Sequence, residues 1–281
     1  MSASALRPRP WQRFVGLTAY ALLMMVVLLP LSWAFFGSLK PQSEIFAYPP
    51  SFFPKEFSLQ AYIDILTRTQ IPRFLVNSIV VTLVTTVLVI LCASVAAYGF
   101  SRWNFRGKNA VMVGLLVCQL IPSGVTIIPY YLMMNQLNLL NTHTGLILIF
   151  TATHIPFALW IIKGQFDAIP VSLDEAAVID GASRFRVLIT VIMPVSLPGI
   201  GAAACLTFIT VWAEFLIPMV LANSPEATLV SVGLYNLFGR DSTTFYNQLF
   251  AAAVLATTPV IIAYLVAQEQ FISGLTGGAE K

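Results

Sequence analysis

SLDEAAVIDGASRFRVLITVIMPVSLP, residues 172–198, carries both signs of charge, two adjacent alanines and a glycine. The rest of the chain is almost wholly apolar. Of 281 residues, 58% are hydrophobic and only 10% charged, and the mean hydropathy is +0.83. Soluble domains carry about 25% charged residues, so a water-solvated globule is excluded. Charge is also segregated, with none in 14–39, 74–101, 109–162, 187–213 or 242–268. A bilayer core of roughly 30 Å takes about 20 apolar residues per helix. The longest run, 109–162, must then hold two spans, with MNQLNLLNTHT (134–144) as a polar hairpin between them. The reading is an all-α integral membrane protein with six transmembrane helices and a single domain over 1–281. The spans fall at about 14–38, 74–101, 109–132, 145–163, 195–222 and 248–268, with a long loop at 164–194.

Arg7, Arg9 and Arg13 precede the first span, as in a signal peptide. A signal peptide's apolar region is only about 7–15 residues, so 14–38 is read as a retained span. Orientation follows the lysine and arginine bias of the loops. With six spans, Arg7, Arg9, Arg13, Arg102, Arg106, Lys108, Lys163, Arg184, Arg186 and Lys281 share one side. Lys40, Lys55, Arg68, Arg73 and Arg240 take the other. Both termini and the 164–194 loop are therefore expected in the cytoplasm. The net charge of +3 reflects that bias and gives no reason to invoke nucleic acid.

Within the spans, Cys92, Cys118 and Cys205 read as small apolar fillers. Ala93, Ser94, Ala96, Ala97 and Gly99 are expected to let helices approach closely, as are Gly199, Gly201, Ala202, Ala203 and Ala204, and Ala251, Ala252 and Ala253. Pro122, Pro129, Pro156, Pro218 and Pro259 each remove a helical hydrogen bond, which favours a transport path over an inert anchor. Outside, Leu59, Tyr62, Ile63 and Leu66 recur at helical spacing and predict a short amphipathic helix. The second outer loop, 223–247, reads as polar and turn-rich.

In the 172–198 stretch, Ser172 and Glu175 have the spacing of a capping box. A helix is predicted from Leu173 to about Asp180, ended by Gly181 in the left-handed conformation. A second helix should run from Ala182 to about Val191 and lead through Pro194 into the fifth span. Ala176 and Ala177 leave the first helix a thin side that another protein's surface could approach.

Glu175-Ala176-Ala177, three residues, Gly181, nine residues and then Val191-Ile192-Met193-Pro194 resembles the EAA signature of bacterial ABC importer permeases. Valine and methionine stand where that signature usually has isoleucine and leucine. Trp212-Ala213-Glu214-Phe215 resembles a W-N-E-F motif of the carbohydrate branch, which includes the smaller permease subunit of the maltose importer. The tail from Gln270 to Ala279, Asn77-Ser78 and the exit Tyr98-x-x-Ser101-Arg102 fit the same branch. The resemblance implies a type I importer permease bundle whose first loop helix couples to a separate ATPase. Glu175, Ala176, Ala177, Asp180, Gly181 and Ala182 would form that coupling site. It implies a second permease subunit in a heterodimer, two ATPase subunits, an extracytoplasmic solute-binding protein and the cytoplasmic membrane of a bacterium.

No G-x-x-x-x-G-K-[ST] phosphate loop occurs, so ATP and Mg are expected on the partner ATPase and no cofactor or metal on this chain. The two histidines, His143 and His154, have no neighbouring carboxylates, so the chain does not read as an enzyme. Glu214 is the ionisable residue of the fifth span, and such residues are costly and usually functional. It is weighed as a cavity-lining acceptor for a polyol, with Trp212 as a stacking face, against a carboxyl paired to a neighbouring helix. The function expected is the permeation half of an ATP-driven sugar or oligosaccharide importer. The alternatives are an ABC permease for another solute and an ion-coupled secondary carrier, although repeats and paired intramembrane charges of a carrier are not evident.

Overall fold

The computed structural model describes residues 10–239 and 245–276, all of whose regular structure is helical. The charges of Arg7, Arg9, Arg13, Arg240 and Lys281, and the tail from Gln270 to Ala279, fall outside the described side chains. Four helices are long and apolar enough to cross a bilayer: Phe14–Ser38, Ile71–Arg102, His143–Ala168 and Tyr246–Gln268. The other two expected spans are bent pairs, Lys108–Gln119 with Ser123–Gln136 at 96° and Arg184–Val195 with Leu197–Ala213 at 83°.

Proline chemistry accounts for both bends. In the first, Pro122 is extended (φ −60°, ψ 137°) and the residue before it is disfavoured in the α region, so α5 (Lys108–Gln119) stops and α6 (Ser123–Gln136) restarts at an angle. In the second, Pro194 and Pro198 lack the N–H groups that would bond back one turn. The chain answers with a π-helical segment, Leu188–Ile192, and with Ser196 off the helical conformation (φ −93°, ψ 7°) before α11 (Leu197–Ala213) begins. The fifth span breaks again at Glu214 (ψ 131°), ahead of α12 (Leu216–Leu221). Pro218 cannot donate to the Glu214 carbonyl, and the Ser231 hydroxyl does so instead at 2.8 Å. The continuous helix expected at 195–222 is thus replaced by two.

The chain divides into two compact units. The first holds residues 1–69 and 240–255, the second 70–239 and 256–281. In the first, α1 (Pro10–Ser38) is followed by α2 (Gln42–Ile45) and α3 (Gln60–Arg68), and α14 (Tyr246–Thr276) begins here. The helix at α3 is present, but its buried face is Ala61 and Ile65, while Leu59, Ile63 and Leu66 stay more than half exposed. The predicted apolar stripe faces outward because the buried pair lies on the other side of a one-turn repeat. A polar knot secures the loop after α2. The Glu44 carboxylate accepts from the Ser51 hydroxyl at 2.7 Å and from the Lys55 amide at 2.9 Å, and Lys40 donates to Ser51.

In the second unit α4 (Ile71–Arg102) and α7 (His143–Ala168) form the principal pair, and α11 packs on both. Val89, Ala93, Ala97, Ala158, Ile162 and Phe166 are buried where the two helices meet. Close approach needs small residues, because in lipid packing rather than water expulsion drives association. Gly199 shows this, since a Cβ there would lie 1.9 Å from Gln165 Cγ on α7. Of the cysteines, Cys205 is buried, whereas Cys92 and Cys118 are exposed and fill no core position. The outer loop expected to be turn-rich contains α13 (Val230–Gly239), anchored by the Ser78 hydroxyl accepting from the Val230 amide at 2.8 Å.

Candidate functional site

The polar loop folds as two turns of distinct construction. The chain leaves α7 through extended Ile169 and Pro170 and enters α8 (Val171–Ile179). Pro170 is the N-cap and no side chain caps this end, so the Ser172–Glu175 capping box does not form. The helix starts two residues earlier than a box would require, which puts Ser172 inside its first turn. Its other end is a Schellman motif. Asp180 is the C-cap, Gly181 takes φ +86°, its amide donates to Val178 O at 3.0 Å, and the Ala182 amide donates to Ala177 O at 3.0 Å. Ser183 then caps α9 (Arg184–Val187) by accepting from the Arg186 amide. The second helix, expected over 182–191, is only this one turn before the π-helical segment.

The faces of α8 divide the candidate residues. Glu175, Ala176, Asp180 and Gly181 are exposed, and Ile179 is 85% exposed. Ala177 and Ala182 are half-buried against the α4–α7 core. Adjacent helical residues lie about 100° apart, a consequence of 3.6 residues per turn, so the two alanines do not form one thin side. Ala176 faces out and Ala177 faces in.

Asp174, the residue before the signature, went unremarked in the sequence, yet it is fully buried. One carboxylate oxygen accepts from the Tyr98 hydroxyl at 2.8 Å and the other from the Arg102 guanidinium at 3.0 Å. Arg102 is itself 5% exposed and also donates to Ser101 Oγ, Phe166 O and Ile169 O. A signal was available: an acid opening a short helix is favoured by the helix dipole, and an arginine closes α4. Nothing local joined the two.

Farther along the second unit lies a cavity of about 610 Å³. Gln119, Ser123, Thr126 and Tyr130 line it from either side of the α5–α6 bend, His154 from α7, and Thr210 and Glu214 from the end of α11. The α5–α6 bend and the α11–α12 break therefore face one space lined by polar and apolar side chains. Helix breaks at membrane depth are tolerated where they are buried in protein or line a water-filled cavity. Glu214 Oε1 accepts from the Leu216 and Ile217 amides at 3.1 and 3.4 Å, so the carboxylate caps α12 while also lining the cavity. His154 Nδ1 pairs with Phe150 O at 2.8 Å, a local contact within α7. Trp212 differs from the expectation of a stacking face. It is 7% exposed, stacks on Phe208, donates its indole N–H to Ala256 O at 3.2 Å, and is not among the cavity-lining residues.

A bundle of apolar helices with breaks around a cavity that carries polar groups, and a structured charged turn at one end, defines a multi-pass transport permease. Residues 89–276 match the family of binding-protein-dependent transport system inner membrane components. The chain belongs to this family, that of ABC importer permeases. It is 32% identical to the sulfoquinovosyl glycerol transport system permease SmoH of Agrobacterium fabrum, covering 94% of this chain and 92% of that one. It is 30% identical to the trehalose/maltose transport system permease MalG of Thermococcus litoralis, over 98% and 99% of the two chains. In fold it matches a chain of a bacterial ABC transporter that imports the acidic polysaccharide alginate, with a TM-score of 0.81 over 94% of this chain and 99% of that one, at 23% identity.

Proposed function

We propose that this permease forms half of the pathway for a sugar or oligosaccharide. An extracytoplasmic binding protein delivers the cargo, a second permease supplies the other half, and two ATPase subunits binding ATP and Mg drive the cycle. The chain itself carries no hydrolytic chemistry in this reading. Both termini and α8 face the cytoplasm of a bacterial cell, in keeping with the lysine and arginine bias of the loops.

The observation that carries the reading is the construction of α8: one face pinned into the bundle through Asp174, the other left bare with Glu175, Ala176, Ile179 and Asp180 exposed. A short rigid helix, stopped by a glycine turn and bare on its far face, suits docking into a cleft of an ATPase. For cargo, the relatives named above are permeases for sulfoquinovosyl glycerol and for trehalose and maltose. The cavity supports this choice. It offers hydroxyl, amide and carboxylate groups beside aliphatic walls, and its size falls within the ~300–1,000 Å³ of small-molecule sites. The test is to purify the tagged chain in mild detergent, identify its partners, and measure ATP hydrolysis with the binding protein and a panel of maltose, trehalose and galactooligosaccharides. Co-purification of an ATPase with stimulation by one sugar is expected. An isolated permease, or stimulation only by a non-sugar solute, overturns the proposal.

A further inference from the structure

The ion pair at the root of α8 is built more completely than packing requires. Three helix ends converge there: the C-termini of α4 and α7 and the N-terminus of α8. Arg102 points Nε and Nη2 at Asp174 Oδ2, Nη1 at Ser101 Oγ and Phe166 O, and Nη2 also at Ile169 O. Four of the five guanidinium N–H groups thus donate a hydrogen bond, and Nη2 is also ion-paired with Asp174. Tyr98 takes the remaining carboxylate oxygen through its hydroxyl at 2.8 Å. Replacing a buried ion pair by apolar residues is often neutral or stabilising, so stability alone does not explain the arrangement.

Its placement does. The backbone on either side of α8 is a turn, extended at Pro170 and left-handed at Gly181, so no continuous helix ties α8 to α7 or α9. Beyond these turns α8 packs on α9 and the π-helical segment. Asp174 adds a side-chain bond to α4, and through Arg102 it reaches two carbonyls at the end of α7.

We infer that Tyr98, Arg102 and Asp174 are positioning residues that make α8 move as one body with the cytoplasmic ends of α4 and α7. The node carries the ATP-driven stroke from the docked helix into the two helices around which the bundle is built, while touching neither ATPase nor cargo. This rests on the reading that the bare face of α8 docks the ATPase.

The test needs no cargo, because Cys118 is exposed and lines the cavity. With Cys92 and Cys205 changed to alanine, maleimide labelling of Cys118 is followed on this chain by mass, in the co-purified complex with its binding protein, with and without ATP and vanadate. The parent complex should change its labelling rate severalfold. The double variant Arg102→Gln/Asp174→Asn, which leaves no unpaired charge, should keep the ATPase bound at parent stoichiometry and lose that change. Tyr98→Phe, which removes one hydroxyl, should retain part of it and serves where the double variant does not assemble. A parent-like labelling change in either assembled variant overturns the inference. Absence of an ATPase beside the unmodified chain instead overturns the docking reading, and this one with it.

Discussion

Asp174 and Glu214 are two carboxylates buried or half-buried in an apolar chain, and they are handled in opposite ways. Asp174 is sealed off, with both oxygens occupied and a guanidinium against it. Glu214 is half-buried, spends one oxygen on two backbone amides, and turns toward an open cavity. The first is a closed joint, in which any change leaves a buried partner without its bond. The second has spare hydrogen-bonding capacity beside a space large enough for a solute. A charge in a membrane protein therefore has at least two uses, and the occupancy of its oxygens distinguishes them.

The contrast is sharpest under mutation. Asp174→Leu alone strands the Arg102 guanidinium in the bundle, and breaking one side of a buried pair costs about 3–5 kcal/mol. The expected result is a marked fall in the amount of folded chain recovered from membranes, read by size-exclusion fluorescence, with most of it regained when Arg102→Met is added. No regain would mean that Asp174 does more than neutralise Arg102.

Gly181→Asp tests the exposed side of the same loop. A Cβ at 181 meets nothing within 4 Å, and the strain of an L-residue at φ +86° is about 1–2 kcal/mol. The chain should still insert and fold, while uptake falls by at least tenfold, equivalent to about 1.4 kcal/mol. Uptake at the parent rate would remove the Gly181 turn from the docking surface.

Glu214→Gln probes the open carboxylate. Glutamine keeps an acceptor for the Leu216 and Ile217 amides, so folding should change little. Cargo bonded to a neutral rather than a charged acceptor should bind about fivefold more weakly, from a difference of about 1 kcal/mol. Unchanged apparent affinity in a binding-protein-dependent uptake assay would leave Glu214 as a helix cap and nothing more.

The smallest effect is expected at Glu44, which lies outside the spans. The Ser51 hydroxyl, and then the Lys55 and Glu56 amides and Lys40, hold its carboxyl below the ordinary glutamate value against an opposing desolvation effect. A lowered folded value means the anchor is fully present above the unfolded pKa and is lost as pH falls through the folded one. Protection of the Lys55 and Glu56 amides, relative to their intrinsic exchange rates, should therefore hold at neutral pH and fall only in acid below the usual glutamate range. Glu44→Gln should remove that pH dependence.

Much of this architecture was legible in the linear chain. Transfer of an apolar segment into lipid is a local property, so four of the spans could be placed from hydropathy. The left-handed Gly181 was equally readable, because backbone freedom belongs to the residue. The first bend was signalled by Pro122, but not its angle, which depends on what the restarted helix packs against. The capping box failed because Pro170, two residues upstream of Ser172, had already begun the helix. Trp212 looked like a sugar platform from its motif. Only the packing of Phe208 and the carbonyl of Ala256 turn it away from the cavity.

The sequence by itself determined the solvent, the family and the left-handed turn at Gly181, since each follows from composition or from neighbours along the chain. Tertiary structure alone decided which charges are closed and which are open. Asp174 meets Arg102 across 72 residues, and Glu214 shares its cavity with a bend near Pro122, more than 90 residues earlier. Hydrogen bonds of that separation leave no periodicity to read, because the contact exists only once α4, α7 and α11 have packed.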